Sequence, residues 1–258
     1  MNPVFTAHRY IKYRLKSFSL HGVHSPFIFD FNNTVLNDKT PFYAFQNIES
    51  LRSRMLLNNS TFNKKDWGTG NRNGLVRVSQ IANRDLLPSR YGQVLFKMVN
   101  YYRPEKILEM GTSLGITTLY LSTPNQNARL ITLEGCPETM RLAQEHFDKL
   151  HARNITPVVG EFSATLPDAL SKLGKLDFLY LDGNHSYKPT LDYFEKCLHY
   201  CHEDSILVFD DIHLSRGMEK AWDEIRNHQK VTIGIDLFKL GIVFFKSGMP
   251  KQQFTLKF

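Results

Sequence analysis

Cysteine is scarce, with only Cys136, Cys197 and Cys201 in 258 residues. Three thiols cannot build a disulfide framework, and they suit a reducing compartment, so a cytoplasmic location is expected. Long apolar runs are missing too: nothing approaches the ~20 apolar residues that a membrane-spanning helix needs. Arg9, Lys12, Arg14 and Lys16 have no apolar block behind them, so no secretory signal is expected. Nor is charge of one sign gathered in a block. Lys and Arg number 32 against 25 Asp and Glu, a net +7, but the basic residues are spread along the chain. That reads as a surface coat rather than a nucleic-acid footprint. The dinucleotide fingerprint G-x-G-x-x-G is also lacking, because position 113 is Ser and 116 is Ile, which argues against a nicotinamide oxidoreductase.

What the chain does have is 42% hydrophobic residues, enough for one large core. The length fits a domain with an N-terminal appendage, divided here as 1–88 and 89–258. In the first part, Val4, Ile11, Leu15 and Phe18 recur at helical spacing and are expected to dock on the main domain; a basic amphipathic membrane anchor is the alternative. His21 and His24 flank a Gly and Pro turn and read as structural, because a zinc site wants four ligands. A second amphipathic helix is expected over 41–57. Asp66-Trp-Gly-Thr-Gly70 has no strand before it or helix after it, so it reads as a loop able to close over a substrate. Residues 89–102 read as a helix ended by Pro104.

From residue 106 onward, strands and helices alternate with short turns. Ile107, Leu108 and Met110 form a buried strand that stops at Gly111, and helical spacing resumes at Ile116, Leu119 and Tyr120. Strands follow over 129–133, 156–159, 176–181 and 205–209. Helices follow over 137–151, 162–173, 187–201 and 216–228. The last two strands, 231–235 and 241–245, are separated by a gap too short for a crossover helix and must pair antiparallel. The expected fold is α/β: a doubly wound, mostly parallel seven-stranded sheet with a C-terminal antiparallel hairpin, behind an N-terminal helical extension.

Glu109, Gly111, Thr112, Ser113 and Gly115 resemble the E-x-G-T-S-x-G first motif of class I S-adenosylmethionine (SAM) methyltransferases, in the form found among small-molecule O-methyltransferases. The closing hairpin agrees with that family over about 89–246. The resemblance implies SAM as cofactor, held by those five residues and by Glu134 on the ribose hydroxyls. Glu134 also fits a purely spatial argument, since an acid about 20 residues past a glycine turn is where ribose acceptors sit. Glu161 and Phe162 fall where such enzymes contact adenine, and Asp182 is also expected to contact the cofactor.

Two acidic tips remain, Asp182 to His185 after one strand and Asp210 with Asp211 after the next. Neighbouring strands lie about 4.8 Å apart, so three carboxylates should share a pocket, costly without a cation. The resemblance, to catechol and caffeoyl-CoA type enzymes, implies a divalent site of Asp182, Asp210 and Asp211, taking Mg²⁺ or another divalent cation. Asp211 stands where the family has Asn. His185 stands where it has a lysine base, so His185 with Asp182 is the expected catalytic pair. The expected function is O-methylation of a small-molecule hydroxyl. A methyltransferase acting on RNA or protein, and a non-catalytic SAM-binding module, are the alternatives. A small-molecule acceptor is the expected partner, with no membrane span; a homodimer is compatible with all of this. Cys197 and Cys201, one helical turn apart, read as buried packing residues.

Overall fold

The computed structural model describes residues 3–17, 25–65 and 74–258. The expectations for His21 to His24 and for residues 66–70 lie outside the described residues. The N-terminal part contains α1 (Pro3–Lys16), α2 (Pro26–Phe31) running into one π-helical turn (Asn32–Leu36), and α3 (Tyr43–Leu57). A small antiparallel ribbon follows, β1 (Thr61–Lys64) with β2 (Gly74–Arg77), then α4 (Val78–Asp85) and α5 (Ser89–Tyr102). Arg103 ends α5 in the left-handed conformation, with Pro104 behind it.

The alternating part runs β3 (Lys106–Met110), α6 (Ile116–Ser122), β4 (Arg129–Glu134), α7 (Pro137–Lys149), β5 (Ile155–Val159), α8 (Phe162–Leu173) and β6 (Phe178–Leu181). It continues with α9 (Tyr187–Leu198), β7 (Ile206–Phe209), α10 (Arg216–Asn227), β8 (Ile233–Asp236), β9 (Gly241–Phe244) and β10 (Gln252–Thr255). The sheet order is β10-β8-β9-β7-β6-β3-β4-β5. Strands β3 to β7 are mutually parallel, and β9 is antiparallel to both β7 and β8, as the short gap requires.

Among the described residues the sheet has eight strands, one more than the seven expected. The extra one, β10, pairs parallel to β8 at the edge. Its sequence, Gln-Gln-Phe-Thr, contains a single apolar residue, so hydrophobic patterning could not reveal it. The strand expected from 176 begins at Phe178. Asp177, just before it, spends one carboxylate oxygen on the backbone N–H groups of Glu105 and Lys106, both at 2.9 Å.

Alternating side chains of the sheet feed two apolar layers. Ile107, Phe178, Tyr180, Val208 and Phe244 face α2 and α5, while Leu108, Leu179, Leu207, Phe209 and Val243 face α8, α9 and α10. Phe244 lies at the centre of the first layer, with the rings of Phe27 at 4.9 Å, Tyr102 at 5.8 Å and Phe31 at 6.1 Å. The N-terminal helices therefore complete the core instead of decorating it.

The docking face of α1 differs from the aliphatic one expected. Ile11 is 59% exposed and Leu15 83%, whereas Tyr13 is buried. Tyr13 donates its hydroxyl to the Leu256 carbonyl oxygen, and its ring packs 5.3 Å from Phe238. A tyrosine that buries its ring and satisfies its hydroxyl outcompetes bare aliphatic spacing. No helix among the described residues is long and apolar enough to cross a membrane.

Phe244→Ala should leave a void that three aromatic neighbours cannot fill, lowering stability by about 3–5 kcal/mol. Urea unfolding is expected to show a lower midpoint with an unchanged slope.

Candidate active site

At the end of β3 the chain must turn within a few atoms of the neighbouring strand tip. Gly111 has φ of 106°, and a Cβ there would overlap the carbonyl oxygen of Asp182. Only glycine permits both the backbone angle and that approach. The two tips are bonded together as well: Asp182 N donates to the Met110 carbonyl at 2.8 Å, and Gly111 N to that of Leu133 at 2.9 Å. Gly115, with φ of 82°, starts α6; a Cβ on it would meet the Phe147 ring at 2.6 Å.

Glu134, at the end of β4, folds back into this turn. Its carboxylate accepts from Ser113 N at 2.9 Å and Cys136 N at 3.0 Å. Burial pushes its pKa up, against those two N–H donors. Beneath it, fully buried Glu109 accepts from Thr118 at 2.5 Å and Thr132 at 2.6 Å through one oxygen. Its other oxygen has no partner, and neither does the buried Ser113 hydroxyl. Burial raises the Glu109 carboxyl to about 8, and the nearby charges of Asp182 and Glu134 add to the rise. Unspent buried polar atoms at a glycine turn are what a polar ligand would satisfy. Thr112 is different: its hydroxyl lies 2.5 Å from that of Thr132 and is used inside the protein. Glu161 is exposed at the start of α8, while the Phe162 ring packs so closely on Gly183 that a Cβ there would overlap it.

The second half of the site lies at the ends of β6 and β7. Asp182 Oδ1 is 3.3 Å from His185 Nε2, and the Tyr180 hydroxyl is 3.5 Å from Asp182 Oδ2. Asp210 is 3% exposed; one of its oxygens lies 3.3 Å from Lys239 Nζ, and the other has no partner. Lys239 also makes a short ion pair with Asp211, which has a left-handed backbone.

Lys239 sits on the turn between β8 and β9; residues 236–240 read from sequence as the hairpin turn with an end able to line the substrate mouth, but Lys239 itself has no role in that reading. The signal existed: because β9 runs antiparallel to β7, the turn that precedes β9 must fall at the carboxyl end of β7, beside Asp210. His213 was missed for a similar reason. It bridges Asp236 at 2.9 Å and Glu219 at 3.1 Å, residues brought to it only by tertiary folding.

These charges determine one another. Burial, with Asp182 and Asp211, drives the Asp210 carboxyl well above its usual range, against Lys239 and His185. Burial alone would lower Lys239, but Asp210 and Asp211 hold its ammonium above the ordinary range. For His185, burial is outweighed by the Asp182 hydrogen bond and the surrounding aspartates, which raise it to about 9. The imidazole near 6.5 expected from sequence is therefore charged at neutral pH. Among the described residues, no group of three or more His, Cys, Asp or Glu is arranged to hold a metal ion. The three aspartates as they stand are matched to an ammonium and an imidazolium, and do not fit a divalent ion. Cys197 is fully buried, and Cys201 donates to its carbonyl oxygen at 3.3 Å, as packing residues do.

The segment built around this geometry, residues 108–212, matches the family model described as "Methyltransferase domain". The likeness to that family is confined to this segment. A catechol O-methyltransferase of Niastella koreensis is 26% identical over 124 residues, 47% of this chain. That match spans 55% of the relative's own length. Among solved structures, the SAH-bound methyltransferase PaMTH1 of Podospora anserina superposes with a TM-score of 0.60 at 14% identity, covering 96% of this chain and 97% of that one. An O-methyltransferase from Bacillus cereus in complex with SAH gives 0.56 at 14% identity, over 90% and 99% of the two chains. The mostly parallel sheet with a closing antiparallel hairpin, expected from sequence, is the fold this chain shares with those structures.

The raised Glu109 carboxyl gives the domain a pH signature. Its folded value of about 8 lies above the ordinary 4.5, so between those values the unfolded chain ionises while the folded one stays protonated. Stability attributable to Glu109 is thus full below about pH 4.5 and lost as pH rises towards 8. Glu109→Gln should flatten this slope, gaining on wild type by on the order of a few kcal/mol between pH 5 and 8. Urea denaturation of the ligand-free protein at the two pH values checks it.

Proposed function

We propose that this chain is a SAM-dependent methyltransferase acting on a hydroxyl group of a small molecule. The observation that carries the reading is the 2.9 Å bond from Ser113 N to Glu134, which puts a half-buried acid on the lip of the glycine turn. In this reading Glu134 binds the ribose hydroxyls. The free oxygens of Glu109 and Ser113 take polar groups of the methionine end. Gly111 and Gly115 keep the backbone bare so that the ligand can lie against it. Glu161 and Phe162 line the adenine side, Phe162 already leaning on the loop that begins at Asp182.

When bound, SAM supplies a sulfonium methyl whose C–S bond breaks, leaving the electron pair on sulfur, as the acceptor oxygen bonds to that carbon. The protein's work is then positioning and charge. Asp182 stands between the two halves of the site, packed on Gly111 on one side and bonded to His185 on the other. The Asp182–His185 pair orients the acceptor hydroxyl. His185, carrying a proton up to about pH 9, becomes a proton acceptor as the pH rises beyond that value. A small-molecule acceptor is favoured by the dispersed basic residues, which form no nucleic-acid footprint. A cytoplasmic location is supported by the three free cysteines, and a homodimer is the assembly we propose to test first.

Calorimetry with S-adenosylhomocysteine, together with transfer of radiolabelled methyl from SAM to a panel of phenols and alcohols, tests the reading. Glu134→Gln is expected to weaken cofactor binding by at least about tenfold, or ~1.4 kcal/mol. Wild-type protein with no affinity for either form of the cofactor would sink it.

A further inference from the structure

The aspartates at the ends of β6 and β7 already have cations of their own. We propose that Lys239 is the resident cation of the acceptor pocket. It stands where a divalent ion would otherwise bind, and the Asp182, Asp210 and Asp211 cluster takes no metal. This inference rests on the methyltransferase reading above and concerns the acceptor half of that same site.

Geometry carries it. Lys239 Nζ lies 3.3 Å from Asp210, is ion-paired with Asp211, and is only 21% exposed. Asp182 is matched separately, by His185 at 3.3 Å.

The ammonium is also held in place. Its turn is closed by the Leu237 and Leu240 hydrogen bond at 2.9 Å, and the Tyr91 hydroxyl donates to the Leu237 carbonyl at 3.2 Å. Phe238, in the strained left-handed region at φ of 69°, has its N–H taken by Asp236 at 2.8 Å. The Phe238 ring is stacked on His213 at 5.4 Å and gripped by Tyr10 at 5.0 Å and Tyr13 at 5.3 Å from α1. A non-glycine residue stays in such a conformation only where its surroundings over-determine it. Eviction of Lys239 by a metal would disturb a turn held by α1, by α5 and by the loop after β7.

The remaining partnerless oxygen of Asp210, 97% removed from solvent, points to a ligand that is still to come. The acceptor's hydroxyl fits it as a donor. Once the acceptor's reacting hydroxyl has lost its proton to solvent, the fixed ammonium of Lys239 is the charge that holds the resulting oxyanion. It acts as an oxyanion-hole donor does in a water-poor site.

The test reads metal binding without needing turnover. Mn²⁺ is titrated into the full-length chain, with and without S-adenosylhomocysteine, and followed by electron paramagnetic resonance. Wild type and Lys239→Arg are expected to leave Mn²⁺ free up to the millimolar range. Lys239→Met should gain at least about tenfold in Mn²⁺ affinity as the aspartates are freed. Methyl transfer by wild type should run at the same rate in EDTA as with Mg²⁺. Lys239→Met should lose about 10²-fold in kcat, with S-adenosylhomocysteine affinity unchanged and partial rescue in Lys239→Arg. Micromolar Mn²⁺ binding by wild type, no gain in Lys239→Met, or turnover abolished by EDTA and restored by Mg²⁺ would each overturn the inference. Failure of wild type to bind S-adenosylhomocysteine defeats the proposed function instead, and the Mn²⁺ titration of the ligand-free chain still decides which cation the aspartates hold.

Discussion

The contact between Gly111 and the carbonyl oxygen of Asp182 is the constraint on which the site depends. It joins the turn after β3 to the tip of β6 at a distance that no side chain on residue 111 could allow. One consequence is that Glu134 and the aspartates at the ends of β6 and β7 share one crowded edge of the sheet. Asp182 bears on the buried Glu109 carboxyl as well as on Asp210, so the two halves are coupled electrostatically as well as sterically. An open α/β sheet places ligands at the carboxyl ends of its strands, and this close approach narrows that edge to one place.

Crowding acids in this way is expensive in low dielectric, and the protein answers it with three different devices. Glu134 is stabilised by two backbone N–H groups, Ser113 of the glycine turn and Cys136 of its own loop. Glu109 is left protonated around neutrality, supported by two threonine hydroxyls. The aspartates of β6 and β7 are matched by side-chain cations. The contrast follows from position. A carboxylate beside a turn has amides within reach, whereas Asp210, at the end of a central strand, has spent its neighbouring backbone in the sheet and needs a charge from elsewhere.

How much of this was legible in the chain depended on sequence distance. The glycine turn, Glu134 and the tips at Asp182 and Asp210 are each local, a strand followed within a few residues by a polar group, and the structure places them at one edge of the sheet. The antiparallel hairpin was legible for the same reason, since a gap of five residues admits no alternative. Lys239 was not, because a lysine in a hairpin turn looks like any solvated lysine until the strand order puts that turn over β7. The inward face of α1 was misread because helical spacing records where aliphatic residues recur and says nothing of the carbonyl at Leu256 that captures Tyr13. The charge state of His185 was missed because the unperturbed imidazole gives no hint of the three aspartates around it.

The hairpin then has a function beyond closing the sheet. In a fully parallel sheet the segment before the next strand would sit at the opposite edge, far from the site. Reversing β9 brings the β8–β9 turn back to the carboxyl end of β7, where Lys239 can reach Asp210 and Asp211. Here α1 helps to steady that turn, through Tyr10 and Tyr13 on Phe238 and through Arg9 on Glu219 at 2.7 Å. Glu219 in turn holds His213, which stacks on Phe238. The N-terminal helix thus reaches the aspartates of β6 and β7 through one ring and one lysine, and its aromatic inward face is explained by the turn it has to hold.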